Sequence, residues 1–127
     1  MNLSSKNNAS ELNIGKTGEE QAKLYLQKNN YSVLETNWRY RKYEIDIIAE
    51  TSDKLVIAEV KTRSSSDFGN PEIFVDKKKQ KFLISAANAY IEKNNVNKEV
   101  RFDIISVLYS NNQFKIEHLV DAFYPVV

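Results

Sequence analysis

Two hydrophobic periodicities alternate along the chain. From about Glu11 to Asn29 the apolar or small residues Leu12, Gly15, Gly18, Ala22, Tyr25 and Leu26 recur mostly at steps of three and four, the spacing of one helix face, and Asn29 with Asn30 supplies a stop. On that wheel Glu19 falls at the edge of the apolar stripe beside Leu26, whereas Glu20 points to the far side. Three stretches of strand character follow, Tyr31 to Trp38, Glu44 to Glu50 and Leu55 to Lys61. The last two are joined by a polar turn, Thr51 to Lys54, which predicts a hairpin. A second helix is predicted over about Val75 to Asn94, where Val75, Phe82, Leu83, Ala86, Ala87, Tyr90 and Ile91 share a face. Phe102 to Leu108 is nearly continuous in apolar residues, as in a strand covered on both sides, and Gln113 to Leu119 can pair with it across Asn111 and Asn112. The order α-β-β-β-α-β-β predicts an α/β domain, a mixed β-sheet flanked by helices.

Charges interrupt the hairpin, and their register carries the first chemical hint. If it closes symmetrically over its turn, Glu50 faces Leu55, Ile48 faces Ile57, Asp46 faces Glu59 and Glu44 faces Lys61, all on one face of the sheet. Ile45, Ile47, Val56, Ala58 and Val60 then take the other face. Facing β-carbons stand ~5 Å apart and like charges there destabilise a sheet, so Asp46 opposite Glu59 calls for a compensating cation. Mg²⁺ (or Mn²⁺) suits the pair, because such ions bind through one or two carboxylates plus phosphate oxygens. Lys61 adds a positive charge two residues on, placed to stabilise the charge that develops on a phosphate under attack. A plainer reading makes Glu44, Glu59 and Lys61 cross-strand ion pairs at a solvated strand end, each worth less than ~1 kcal/mol. The conjunction of Asp46, a Glu-x-Lys and an inward-leaning Glu19 favours the site.

Composition narrows the choices further. A chain of 127 residues with no Pro/Gly/Ser-rich divide predicts one domain over residues 11–127 behind a flexible tail at 1–10. Without cysteine there is no thiolate metal site, which leaves oxygen ligands or His118. The first ten residues lack a secretory apolar core and no run approaches the ~20 apolar residues of a membrane helix, so a cytoplasmic protein with no membrane contact is expected. A net charge of +1 announces no nucleic-acid partner, so only local clusters can. Asp76 to Lys81 carries Lys77, Lys78, Lys79 and Lys81 against one acid, and a phosphate-binding face and a solvated helix face are evenly matched readings of it. Arg39, Arg41, Lys42 and Arg63, interleaved with Trp38 and Tyr40, suit unstacked nucleic acid, although such mixtures are also common at strand ends. Asp103, alone in an apolar strand, reads as a buried structural acid. For His118 a metal or general-base role is the less favoured reading.

The element order, with Asp46 on the second strand and Glu59-x-Lys61 on the third, resembles the PD-(D/E)xK nuclease superfamily. More closely, "GKTGEEQA", "EIDIIA", "AEVKTR", "KQKFLISAA" and "RFD…DAF" resemble a group of small bacterial proteins classed as endonucleases and similar to archaeal Holliday junction resolvases. The likeness runs from about Leu12 to Phe123 and implies a restriction-endonuclease-like core. It implies Asp46 and Glu59 as metal ligands, Lys61 as the catalytic lysine and Glu19 as a helical acid added to the site. Lys79 and Gln80 match positions at the start of the second helix where phosphate is met; Lys77 and Lys81 lie beside them in sequence, and Arg63 flanks the Glu-x-Lys. Branched DNA as substrate and a homodimer making two cuts are implied in the same way. Two positions depart from the pattern: Ile45 stands where the superfamily has proline, and Tyr43 where the close relatives usually have glycine. A nucleic-acid-binding module that keeps the fold without cleaving is the competing class, and a structural Ca²⁺ site a third.

Overall fold

The computed structural model describes residues 17–64 and 74–125, so the expected tail at 1–10 and the start of the first helix lie outside the described residues. Helix α1 runs over residues 17–28. It is followed by β1 (Ser32–Tyr40), β2 (Tyr43–Glu50), β3 (Lys54–Ser64), α2 (Lys77–Asn94), β4 (Glu99–Ser110) and β5 (Gln113–Phe123). The strands form one five-stranded sheet in the order β1-β2-β3-β4-β5. Only β3 and β4 are parallel, and α2 is the crossover such a pair requires. The predicted mixed sheet and element order are therefore present.

Each helix covers one face. Ala22 and Leu26 of α1 are buried with Ile47, Ala49, Val56, Ala58, Ile105 and Val107. Leu83, Ala86, Ala87 and Tyr90 of α2 pack with Ile48, Leu55, Ile57, Phe102 and Ile104 on the opposite side. Central strands covered on both faces need apolar residues at successive positions, which is why β4 reads as a run rather than an alternation. Gly18 lets α1 settle onto β3, since a Cβ there would collide with the Thr62 side chain. Asp76 caps α2 by accepting the Lys79 amide at 2.8 Å.

One expectation fails, and it fails at the site. The β2–β3 register follows the predicted pairing from Glu50↔Leu55 to Ile47↔Ala58, but the ladder stops there. Ile45 lies in the α2-side core with Ile48, not beside Ile47 on the α1 side. A kink shared by two strands is responsible. Asn37 has a left-handed φ of 51°. Thr36↔Ile47 and Trp38↔Ile45 are paired on either side, while Asn37 and Asp46, which that register would place opposite each other, are not. A left-handed residue breaks the two-residue repeat, so the alternation resets and Trp38 and Tyr40 join Ile45 towards α2.

Candidate metal and nucleic-acid site

The kink puts Asp46 where the sheet opens. Past the last β2–β3 pair, Asp46 Oδ2 accepts the backbone amide of Val60 at 2.8 Å, a side chain standing in for a rung of the ladder. The Asp46 carboxyl also shares a hydrogen bond with Glu59, which is buried on β3 with 7% of its surface exposed. Lys79, in the first turn of α2, places its Nζ 3.6 Å from Glu59 Oε2. On the α1 side Asn37 donates from Nδ2 to Glu19 Oε1 at 3.0 Å, so the residue that kinks the strand also orients the helical acid. Glu19, Asn37 and Asp46 line a cavity of about 220 Å³ together with Lys23 and Thr36.

This cluster is short of positive charge. Burial pushes the Asp46 carboxyl up to about 7, and the charge on Glu59 and the hydrogen bond shared with it push the same way. The Val60 amide and Lys79 oppose that only in part. Glu19 is also raised, by burial first, against the Asn37 hydrogen bond and with help from the charges of Asp46 and Glu44. Among the described residues no three His, Asp or Glu side chains form a ready ligand group; Asp46 and Glu59 are neighbours, and Glu19 lines the cavity wall with Asp46. Two adjacent carboxylates are hard oxygen donors of the kind that fit Mg²⁺ or Mn²⁺.

Beyond Glu59, β3 carries Lys61 and Arg63. Lys61 is half-buried and, among the described residues, its side chain makes no hydrogen bond or ion pair. Arg63 donates from Nη2 to Ser106 Oγ at 3.0 Å, while its buried Nη1 has no hydrogen-bond partner among the described residues. Gln80 donates from Nε2 to the Val75 carbonyl at 2.7 Å and so ties down the lead into α2. Lys77, Lys78 and Lys81 are exposed along the helix. The fold thus gathers Asp46, Glu59, Glu19 and Lys79, and sets the other three lysines of the run towards solvent. Asn37 was not among the residues singled out from sequence. Its signal was an asparagine where the β1 pattern changes, since asparagine tolerates left-handed backbone better than most side chains.

Asp103 belongs to a separate network on the α1 side of the sheet. It is fully buried and accepts Arg101 Nε at 2.9 Å, Arg101 Nη2 at 2.8 Å and the Asp121 amide at 3.0 Å. His118 Nε2 lies 2.7 Å from Asp103 Oδ2, and its Nδ1 lies 3.0 Å from the Tyr25 hydroxyl. Asp121 has a φ of 57° in a bulge of β5, which its bond to Asp103 fastens. His118 is engaged here. Among the described residues, no helix is long and apolar enough to cross a membrane.

Several bacterial proteins share this sequence over most of its length. The chain is 53% identical over 111 residues to a UPF0102 protein of Flavobacterium psychrophilum, covering 87% of this chain and 93% of that one. It is 49% identical over 111 residues to a UPF0102 protein of Christiangramia forsetii, with coverage of 87% and 93%. A UPF0102 protein of Parabacteroides distasonis is 45% identical over 111 residues, with coverage of 87% and 92%. The family match spans residues 18–107 and so contains the kink at Asn37, the carboxylates at Glu19, Asp46 and Glu59, and the lysines at Lys61 and Lys79. By that match and those relatives, the chain belongs to the uncharacterised protein family UPF0102.

Proposed function

We propose that this protein is a divalent-cation-dependent endonuclease that hydrolyses phosphodiester bonds in branched DNA. The observation that carries the reading is the Asp46–Glu59 pair, held together at the opening of β2 from β3 although both side chains are acids. Asp46 and Glu59 would hold Mg²⁺ or Mn²⁺, which when bound supplies a Lewis acid that neutralises phosphate charge and lowers the pKa of water. The chain's own residues do the rest. Lys61, with no partner among the described residues, is available to donate to a phosphate oxygen as negative charge builds there. Val60 fixes one Asp46 oxygen and so orients the other. A cytoplasmic location and a homodimer making two cuts would suit such a substrate.

A non-cleaving nucleic-acid-binding module is the second reading, favoured by Lys79, which already provides Glu59 with a counter-charge. One experiment separates the two. Purified protein and its Asp46→Asn variant are incubated with linear, nicked, flapped and four-way-junction DNA in Mg²⁺ and in Mn²⁺ at low salt. Cation-dependent cutting of branched substrates by the wild type alone is expected. Binding without cutting would establish the module instead.

A further inference from the structure

The turn between β1 and β2 is strained and surrounded by aromatic rings. Tyr40 pairs with Tyr43, leaving Arg41 and Lys42 as a two-residue loop. Arg41 has a φ of 58°, a left-handed value that glycine or asparagine normally supplies in such turns. Strain of this kind is concentrated at functional segments. Tyr43 is 44% exposed, and its ring centroid lies 4.3 Å from that of Phe82 on α2. The Arg41 guanidinium sits 5.2 Å from the centroid of the Tyr40 ring. Tyr40, Arg41, Lys42, Tyr43, Lys81 and Phe82 line an open groove of about 450 Å³, and among the described residues its lining carries cations and no acid.

This groove borders the carboxylate site through a single side chain. The Lys79 ammonium is 5.9 Å from the Phe82 ring centroid and 3.6 Å from Glu59 Oε2. A nucleic-acid strand with one phosphate at Asp46 and Glu59 would therefore run its neighbouring nucleotide into the groove. There Tyr43 offers a flat apolar ring to a base, and Arg41, Lys42 and Lys81 offer charge to the backbone. Bases inside a duplex are stacked on one another and cannot present a face to such a ring, whereas unpaired bases can.

We propose that the groove between the β1–β2 turn and α2 binds an unpaired base, so that the protein selects single-stranded nucleic acid or the unpaired arm of a branched one. The placement of the strand rests on the nuclease reading, but binding in the groove does not. The test is fluorescence anisotropy in EDTA with a labelled oligothymidylate and a labelled blunt duplex. Tyr43→Ala should weaken oligothymidylate binding about tenfold while changing duplex affinity less than about twofold, and Tyr43→Phe should match the wild type. In a second readout, the emission of Tyr43→Trp should be quenched by oligothymidylate and not by duplex, against the background of Trp38. Equal weakening of both ligands by Tyr43→Ala, no weakening of either, or an unresponsive Tyr43→Trp would overturn the proposal. Tyr43-dependent binding without any cleavage would leave the groove standing and remove the nuclease reading. Cleavage with oligothymidylate affinity indifferent to Tyr43 would do the reverse.

Discussion

The backbone amide of Val60 donates to Asp46 Oδ2 at 2.8 Å, in the place where β2 and β3 would otherwise form their next rung. An acid in this position keeps the strands apart by a fixed amount and stays within reach of Glu59. Asparagine could still accept the Val60 amide, but without the negative charge that a cation requires. Asp46→Asn should therefore fold normally by circular dichroism and lose calorimetric Mn²⁺ binding altogether. Retained Mn²⁺ affinity would place the ion elsewhere.

The same carboxyl should make the metal-free protein pH-sensitive. Asp46 is raised from 3.8 to about 7 by burial and by Glu59, so between those values the folded state binds more protons than the unfolded one. Stability from this group is then complete below its unfolded value and is lost as pH rises through the folded value. Between about pH 5 and pH 8 the wild type should lose on the order of 2 kcal/mol relative to Asp46→Asn, discounted for partial exposure. On the proposed metal site, saturating Mg²⁺ should restore the loss by favouring the folded state. Urea midpoints of both proteins at the two pH values, with and without Mg²⁺, measure it. Parallel pH profiles would contradict the raised carboxyl.

Lys61 is half-buried and without an ion pair among the described residues, unlike Lys79. A cation with no ground-state partner is free to act when charge develops on the substrate. Lys61→Met should slow junction cleavage by roughly two orders of magnitude or more, the effect of one missing transition-state donor, with Mn²⁺ and DNA affinity nearly intact. Cleavage at the wild-type rate would remove Lys61 from the mechanism.

The elements were legible because their periods differ: α2 shows its buried face at three- and four-residue steps, and the nearly continuous apolar run from Phe102 to Leu108 announces a strand covered on both sides. The nearness of Asp46 to Glu59 was legible through the spacing of the hairpin. Their geometry was not. Extending the two-residue alternation through Asp46 put Ile45 on the α1 side; a single left-handed residue at Asn37 resets the alternation, and an asparagine is its faint trace in the sequence. Lys79 looked like one member of a lysine run, and only the way α2 lies across β3 brings it down onto Glu59. Asp103 takes Arg101 from its own strand but His118 and the Asp121 amide from β5, and His118 in turn meets Tyr25 of α1, at distances in sequence that no local pattern encodes.

The lysine run divides accordingly. Lys77, Lys78 and Lys81 are exposed, whereas Lys79 is occupied by Glu59. Neutralising the three exposed lysines should weaken binding to duplex DNA and flatten the slope of log affinity against log salt by about 2 to 3, nearly one for each phosphate that no longer meets a cation. Adding Lys79 to the set should change the slope little further. An unchanged slope in the triple variant would show these lysines to be a solvated face.

Asp103 gives the fold its sharpest dependence on one charge. Its side chain is fully buried, and that of Arg101 is 16% exposed. Burial alone would raise the Asp103 carboxyl, but hydrogen bonds from His118, Arg101 and the Asp121 amide outweigh it and hold the group below its ordinary 3.8. A lowered carboxyl contributes stability above its unfolded value and loses it as pH falls through the folded one. Asp103→Asn would leave Arg101 without its counter-charge and turn one carboxylate oxygen, which accepts from its neighbours, into an amide that donates. The cost at neutral pH should be about 3 kcal/mol, read as a lower urea midpoint with an unchanged m-value. The difference from wild type should shrink as pH falls below the usual carboxylate range, because the wild-type group is then protonated as well. A gap that stayed constant down to the acid limit would mean that shape, and not charge, makes Asp103 matter.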